Sequence, residues 1–274
     1  MNAQRNLVLS GLHQRPILFD LFTPEDRNGS PVVIFCHGYK GFKDWGAWDL
    51  VARAFVQSGF VFCKFNFSHN GGTIEQPIDF PDLEAFALNN YSIELDDLKC
   101  MIDHITAQFD PPEVLLIGHS RGGGIVSIKA EEDSRVRKVV SWAGVSDFEA
   151  RFLKGTKAFE LWRERGITHI ENARTGQQLP HYFQFYENFA ANADRLTIKR
   201  AVSVLTIPHL IVHGSEDPTV PLPEAKALNS WNPNSHLEII AGADHVFGAS
   251  HPWSDDELPD HLREVVEKTL QFLA

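Results

Sequence analysis

Three things are scarce in this sequence: cysteine, positive charge and long apolar runs. Only three cysteines, Cys36, Cys63 and Cys100, occur in 274 residues. Their odd number and wide spacing argue against a disulfide framework, and no metal-ligand spacing appears among them. They are expected to be reduced packing residues. Lysine and arginine number 25 against 36 aspartates and glutamates, a formal net charge of −11. That balance lacks the electrostatic footprint of a protein that grips phosphate backbones or anionic lipid, so neither nucleic acid nor a membrane is an expected partner. The first ten residues, MNAQRNLVLS, hold one arginine and no long apolar stretch. They read as neither a signal peptide nor a membrane span, which makes the cytoplasm the expected compartment.

Short apolar runs are plentiful. PVVIFCHG (31–38), FVFCKFNF (60–67), EVLLIGHS (113–120), VRKVVSWAG (136–144), HLIVHGS (209–215) and HLEIIAG (236–242) each have the length and composition of a buried strand. Between them, residues 48–59, 92–109 and 123–134 repeat apolar positions every three to four residues, as helices do, and the C-terminal DDELPDHLREVVEKTLQFLA reads as a last amphipathic helix. Ser92 with Leu95 falls short of a capping box, while Asp96 and Asp97 suit an early helical turn. Strand alternating with helix predicts an α/β fold, a mostly parallel sheet covered on both faces, in one domain spanning 1–274. The alternation breaks over residues 146–206, after the run at 136–144. Two helical stretches flank a polar segment there, with a hairpin expected around Arg174 to Gly176, and the whole reads as an inserted cap. Nine aromatics from Phe148 to Phe189 lie in it, enough both to pack the cap onto the body and to line a pocket.

The strongest chemical signal is GHSRGG, residues 118–123, directly after the strand pattern EVLLI and at the start of a helical one. A serine on a sharp strand-to-helix turn is lifted out of the sheet, and glycines on either side permit the crowded backbone such a turn imposes. The helix N-terminus beneath it offers unpaired N–H groups to a developing oxyanion. Ser120 is therefore the candidate nucleophile. A neutral serine attacks poorly, so a histidine must take its proton and a carboxylate must orient that histidine. Asp217 in HGSEDPTVP and His245 in AGADHVFG supply them downstream, each just past a strand pattern and in the order Ser, Asp, His.

Among thirteen histidines, His37, His119, His213 and His251 are the nearest rivals. The first two precede or adjoin Ser120, His213 lies inside the strand leading to Asp217, and His251 follows a less regular segment. Glu216 and Asp244 compete with Asp217, but Asp244 is adjacent to His245 and badly placed to reach its ring. The second oxyanion donor is expected in the loop after an early strand, where HGYKGFKDW (37–45) stands. The backbone N–H groups of Tyr39 and Arg121 are the assigned pair. Lys40 and Lys43 in that loop read as solvated charges.

With these motifs in this order, the sequence resembles the α/β-hydrolase superfamily from about Pro31 to the C-terminal helix. Within it, the sequence is most similar to small intracellular esterases grouped with feruloyl (cinnamoyl) esterases and dienelactone-hydrolase-like proteins. The resemblance implies a serine carboxylesterase that acts on a small-molecule ester through an acyl-enzyme, needs no cofactor or metal, and uses the insertion to shape the acyl or aryl pocket. Dienelactone hydrolases proper use cysteine, and dehalogenases and epoxide hydrolases use aspartate, where this sequence has Ser120. An aminopeptidase or acyltransferase would use the same three residues, and a silent ligand-binding member would retain them without chemistry. Exposed surfaces of the insertion are candidate contacts for a homodimer.

Overall fold

A computed structural model describes all residues, 1–274. In chain order, strands β1 (Asn2–Ser10), β2 (Pro16–Thr23) and β3 (Val32–Cys36) precede helix α1 (Trp48–Gln57). Strand β4 (Val61–Asn66), helices α2 (Leu83–Leu88) and α3 (Tyr91–Phe109), strand β5 (Val114–His119), helix α4 (Arg121–Glu132) and strand β6 (Val136–Trp142) follow. After β6 the chain forms a 3-10 turn (Glu149–Phe152), α5 (Lys157–Arg165), β7 (Ile167–Glu171), β8 (Gln178–Tyr182), α6 (Gln184–Ala191), α7 (Ala193–Leu196) and α8 (Ile198–Val204). It then returns to the sheet as β9 (His209–Gly214), α9 (Leu222–Trp231), β10 (Ser235–Ile240) and α10 (Asp260–Leu273).

Eight strands form one sheet in the order β1-β2-β4-β3-β5-β6-β9-β10. All six expected strands are in it and pair in parallel. Burial on both faces makes the sequences of β3, β4, β5, β6 and β9 read as continuous apolar runs, whereas β10 at the sheet edge is only partly buried. In β5, Leu116 joins Ile34 and Val139 on the face covered by α3 and α4. Leu115 and Ile117 join Phe35 and Val140 on the face covered by α1 and α10.

The first two strands escaped the sequence-based expectation. β1 and β2 form an antiparallel pair at the sheet edge. β1 is exposed along most of its length, so no burial pattern marks it. β2 is buried, but its apolar run is broken by Asp20, which only tertiary partners neutralise. Helix α3 begins at Tyr91, and its cap is Asn90, whose side chain accepts the Ile93 N–H. Asp97 does not serve the helix terminus. It is fully buried and accepts the Ser68 N–H at 2.7 Å.

The chain order reverses between β4 and β5 around β3, which opens a crevice beyond the carboxyl ends of β3 and β5, where doubly wound sheets bind ligands. The loop after β3 and the turn after β5 meet there. Over this crevice lies the chain between β6 and β9, which holds the expected insert (146–206) and whose β7 and β8 pair antiparallel across the turn at residues 172–177. It is fastened to α2 and α3 by Tyr182 to Glu84 at 2.7 Å, Gln184 to the Ala87 and Asn89 carbonyls, and Ser92 to Asn188 at 2.8 Å. No helix is long and apolar enough to cross a membrane.

Candidate active site

Ser120 sits between β5 and α4 with φ 57° and ψ −120°, a backbone conformation that side-chain-bearing residues rarely adopt and that marks a strained, over-determined turn. Crowding around it explains the flanking glycines. A Cβ on Gly118 would lie 2.2 Å from the Gly122 carbonyl oxygen, and one on Gly122 would lie 2.4 Å from the Cys36 carbonyl oxygen. Only hydrogen fits at either place.

The turn aims Ser120 at His245. The Ser120 Oγ lies 3.0 Å from His245 Nε2, and His245 Nδ1 lies 2.7 Å from Asp217 Oδ2. A carboxylate there can only accept, so Nδ1 carries the proton, Nε2 is free, and the Ser120 hydroxyl donates to it. Asp217 is held from its other oxygen, which accepts the Thr219 and Val220 N–H groups at 2.8 and 2.9 Å. Burial opposes its ionisation, but the hydrogen bonds from His245 and these two amides outweigh burial and hold the carboxyl below its ordinary range. Glu216 and Asp244 are exposed, and Asp244 instead accepts the Val246 and Gly248 N–H groups.

The rival histidines are struts. His119 bonds through Nε2 to the His245 carbonyl at 2.8 Å, and His213 bonds through Nε2 to the Val220 carbonyl at 2.7 Å. His251 Nδ1 accepts the Gly46 N–H at 2.9 Å. His37 Nε2 accepts the Phe67 N–H at 3.4 Å, which leaves Nδ1–H to donate to the Gly38 carbonyl at 2.8 Å. Burial keeps these rings neutral, pushing His119 down to about 3 and His37 to about 4. Three of the four thus brace a loop that carries another candidate residue.

The His37 contact bears on Tyr39. The Gly38 carbonyl, which also accepts the Gly41 N–H at 3.0 Å, belongs to the same planar peptide as the Tyr39 N–H. Pinning the carbonyl on one side directs that N–H to the other, and it has no backbone acceptor. The loop lies against the turn at Ser120, since a Cβ on Gly38 would come within 3.3 Å of Ser120 Oγ. Arg121 is the first residue of α4, where helical N–H groups lack an intrahelical partner. Tyr39 and Arg121 thus line the same cavity as Ser120.

Two expectations need correction or refinement. Lys43 is not solvated: it is buried, with its ammonium 2.8 Å from Asp20 and 2.6 Å from Asp44. Of the nine insert aromatics, Phe148, Phe152, Phe159, Trp162 and Phe185 line a cavity of about 470 Å³ above Ser120, whereas Tyr182 faces Glu84 and Phe189 packs in the core. Tyr91, Thr168 and His181 also line it and were not foreseen. Nothing local in the sequence marks them, because the cavity exists only once the insert is folded over the body.

The sequence profile of the alpha/beta hydrolase family matches residues 33–255. The chain belongs to that family. A 2-hydroxymuconate semialdehyde hydrolase from Pseudomonas sp. strain CF600 is 24% identical over 275 aligned residues, 90% of this chain and 87% of the relative. Among solved structures, Est1E from Butyrivibrio proteoclasticus superposes with a TM-score of 0.74 at 18% identity, covering 98% of each chain. That protein has also been solved with ferulic acid bound. A dienelactone hydrolase from Anabaena variabilis gives a TM-score of 0.65 at 18% identity over 99% of this chain and 97% of its own. At such identities the two structures establish the α/β-hydrolase fold.

Proposed function

We propose that this α/β-hydrolase is a serine carboxylesterase. The observation that carries the reading is the unbroken chain from Ser120 through His245 to Asp217, with bonds of 3.0 and 2.7 Å, opening onto a cavity lined by 12 hydrophobic residues out of 18. In the reaction, His245 Nε2 takes the Ser120 proton as Oγ attacks the ester carbonyl. The charge that develops on the carbonyl oxygen is met by the Tyr39 and Arg121 N–H groups. His245 then returns the proton to the leaving alcohol, and Asp217 steadies the imidazolium in between. Water, activated by the same histidine, releases the acid from Ser120.

The acyl group occupies the space between Ser120 and the insert, which acts as a cap. Aromatic walls favour an apolar or aromatic acyl chain, and the volume lies within the range of small-molecule sites. The direct test is labelling with a fluorophosphonate, followed by peptide mass mapping and a panel of p-nitrophenyl and methyl hydroxycinnamate esters. The expected result is a single adduct on Ser120, loss of labelling and turnover in Ser120→Ala, and preference for acyl groups larger than acetyl. Ester turnover that persists in Ser120→Ala defeats the assignment. Turnover of 2-hydroxymuconate semialdehyde with no ester hydrolysis would move the substrate to that of the sequence relative.

A further inference from the structure

The side chains of the two oxyanion-donor residues are locked to each other and to the insert. The Arg121 guanidinium lies 4.4 Å from the centre of the Tyr39 ring, and it also faces the rings of Tyr91 and Phe185. Such a cation over aromatic faces is held more strongly the drier its surroundings. Glu94 on α3, almost wholly buried, accepts from Arg121 Nη1 at 3.1 Å and from the Asn89 amide at 2.8 Å. Beyond the Tyr39 ring, its hydroxyl is hydrogen-bonded to Nε2 of His181 at 2.6 Å, a partner 142 residues away on β8.

His181 is a rigid anchor. Its ring stacks on Phe185 at 5.9 Å and meets the edge of Phe86 at 5.2 Å, and its carbonyl accepts the Trp162 indole N–H at 2.9 Å. Tyr39 itself lies outside regular secondary structure, in the loop between β3 and α1. The His37 bond fixes the peptide before Tyr39, and the His181 bond fixes the far end of its side chain. Two points of attachment on either side of one N–H define its direction.

Resting on the esterase reading above, we propose that the Tyr39–His181 hydrogen bond is a latch through which the insert aligns the oxyanion site. Tyr39 through its side chain, His181 and the Arg121 guanidinium are positioning residues in this arrangement. The cap then does more than cover the acyl group, because its seating completes the machinery that stabilises the transition state. Tyr39, Arg121 and His181 all line the acyl cavity, so the latch is in reach of a bound substrate.

The test uses the full chain with p-nitrophenyl butyrate as substrate and butaneboronic acid as the tetrahedral mimic. Tyr39→Phe removes one oxygen and His181→Ala removes its partner. Each is expected to lower kcat by about 10- to 100-fold, less than outright removal of an oxyanion donor, with KM little changed. The double variant should be no slower than the slower single one, since both break the same link. Boronic acid affinity should fall in step with kcat/KM, and His181→Gln, which retains a hydrogen-bonding group, should recover part of the loss. Should Tyr39→Phe and His181→Ala keep wild-type kcat and boronate affinity, or change KM alone, the latch is refuted while the esterase reading stands. Wild-type protein that neither hydrolyses the ester nor reacts with a fluorophosphonate refutes the esterase reading instead.

Discussion

Two of the buried polar clusters in this protein differ in how completely they are satisfied. On the sheet face beneath α1, Asp20 of β2 and Lys64 of β4 pair at 2.9 Å, and Lys43 closes on Asp20 at 2.8 Å. Asp44, Asp49 and Arg5 complete the set, with Lys64 2.8 Å from Asp49 and Arg5 2.5 Å from it. Burial resists ionisation of Asp20, yet the two lysines pull its carboxyl down to about 2. Three carboxylates face three cations, so no cation site is left open among them. At the carboxyl end of β5 the chain of bonds is instead left open: Asp217 and His245 are satisfied, but the series ends on a hydroxyl and on backbone N–H groups beside an apolar cavity. Burial of charge alone does not signal chemistry; the signal is a hydrogen-bonded series that ends at a cavity with reactive capacity unspent.

That contrast predicts opposite phenotypes. The largest effect is expected from Asp217→Asn, which leaves the geometry but misdirects the His245 tautomer, and turnover of p-nitrophenyl butyrate should fall by about 10⁴-fold. Its midpoint of thermal unfolding should move little by comparison. Lys64→Met is the converse. Removing one member of a buried ionic set leaves three carboxylates facing only Lys43 and Arg5, an expected loss of about 3–5 kcal/mol in denaturant unfolding. Turnover per folded molecule should be retained, and a collapse of kcat without loss of stability would erase the distinction between the clusters.

A smaller effect sharpens the comparison, because Asp97 is a buried acid with no cation against it. Desolvation raises its carboxyl from 3.8 to about 7 despite the bond from the Ser68 N–H. The folded protein therefore holds this proton up to about pH 7, whereas the unfolded chain releases it near 3.8. The stability it confers is complete below the unfolded value and is lost as the pH rises through the folded one. Asp97→Asn keeps the neutral form at every pH. Its unfolding midpoint should match wild type near pH 4 and exceed it at pH 8, and a difference independent of pH would show that Asp97 is ionised in the fold.

How legible each part was follows from where its determinants lie. The places of Ser120, Asp217 and His245 were readable because each follows a strand of the sheet, so short apolar runs marked the positions and chain order chose among thirteen histidines. The positions of Tyr39 and Arg121 in the loops after β3 and β5 were readable for the same reason, as residues at fixed offsets from those strands. Strand β1 was not, since an exposed edge strand is held by backbone pairing that any sequence can make. Asp20, Lys43 and Lys64 were illegible too. Asp20 and Lys64 are lone charges in apolar runs, Lys43 has only Asp44 beside it, and only pairing of β2 with β4 places Asp20 opposite Lys64.

The sequence by itself determined the parallel sheet, the sharp turn at Ser120 and the order of the residues around it, because these depend on periodicity and on contacts within a few residues. Tertiary structure alone decided the rest. It made five of the insert's aromatics into a wall, turned the four rival histidines into struts, and brought His181 onto Tyr39 across 142 residues. Those contacts join segments distant in the chain, and their partners are set by how the insert seats on the body, which no local pattern records.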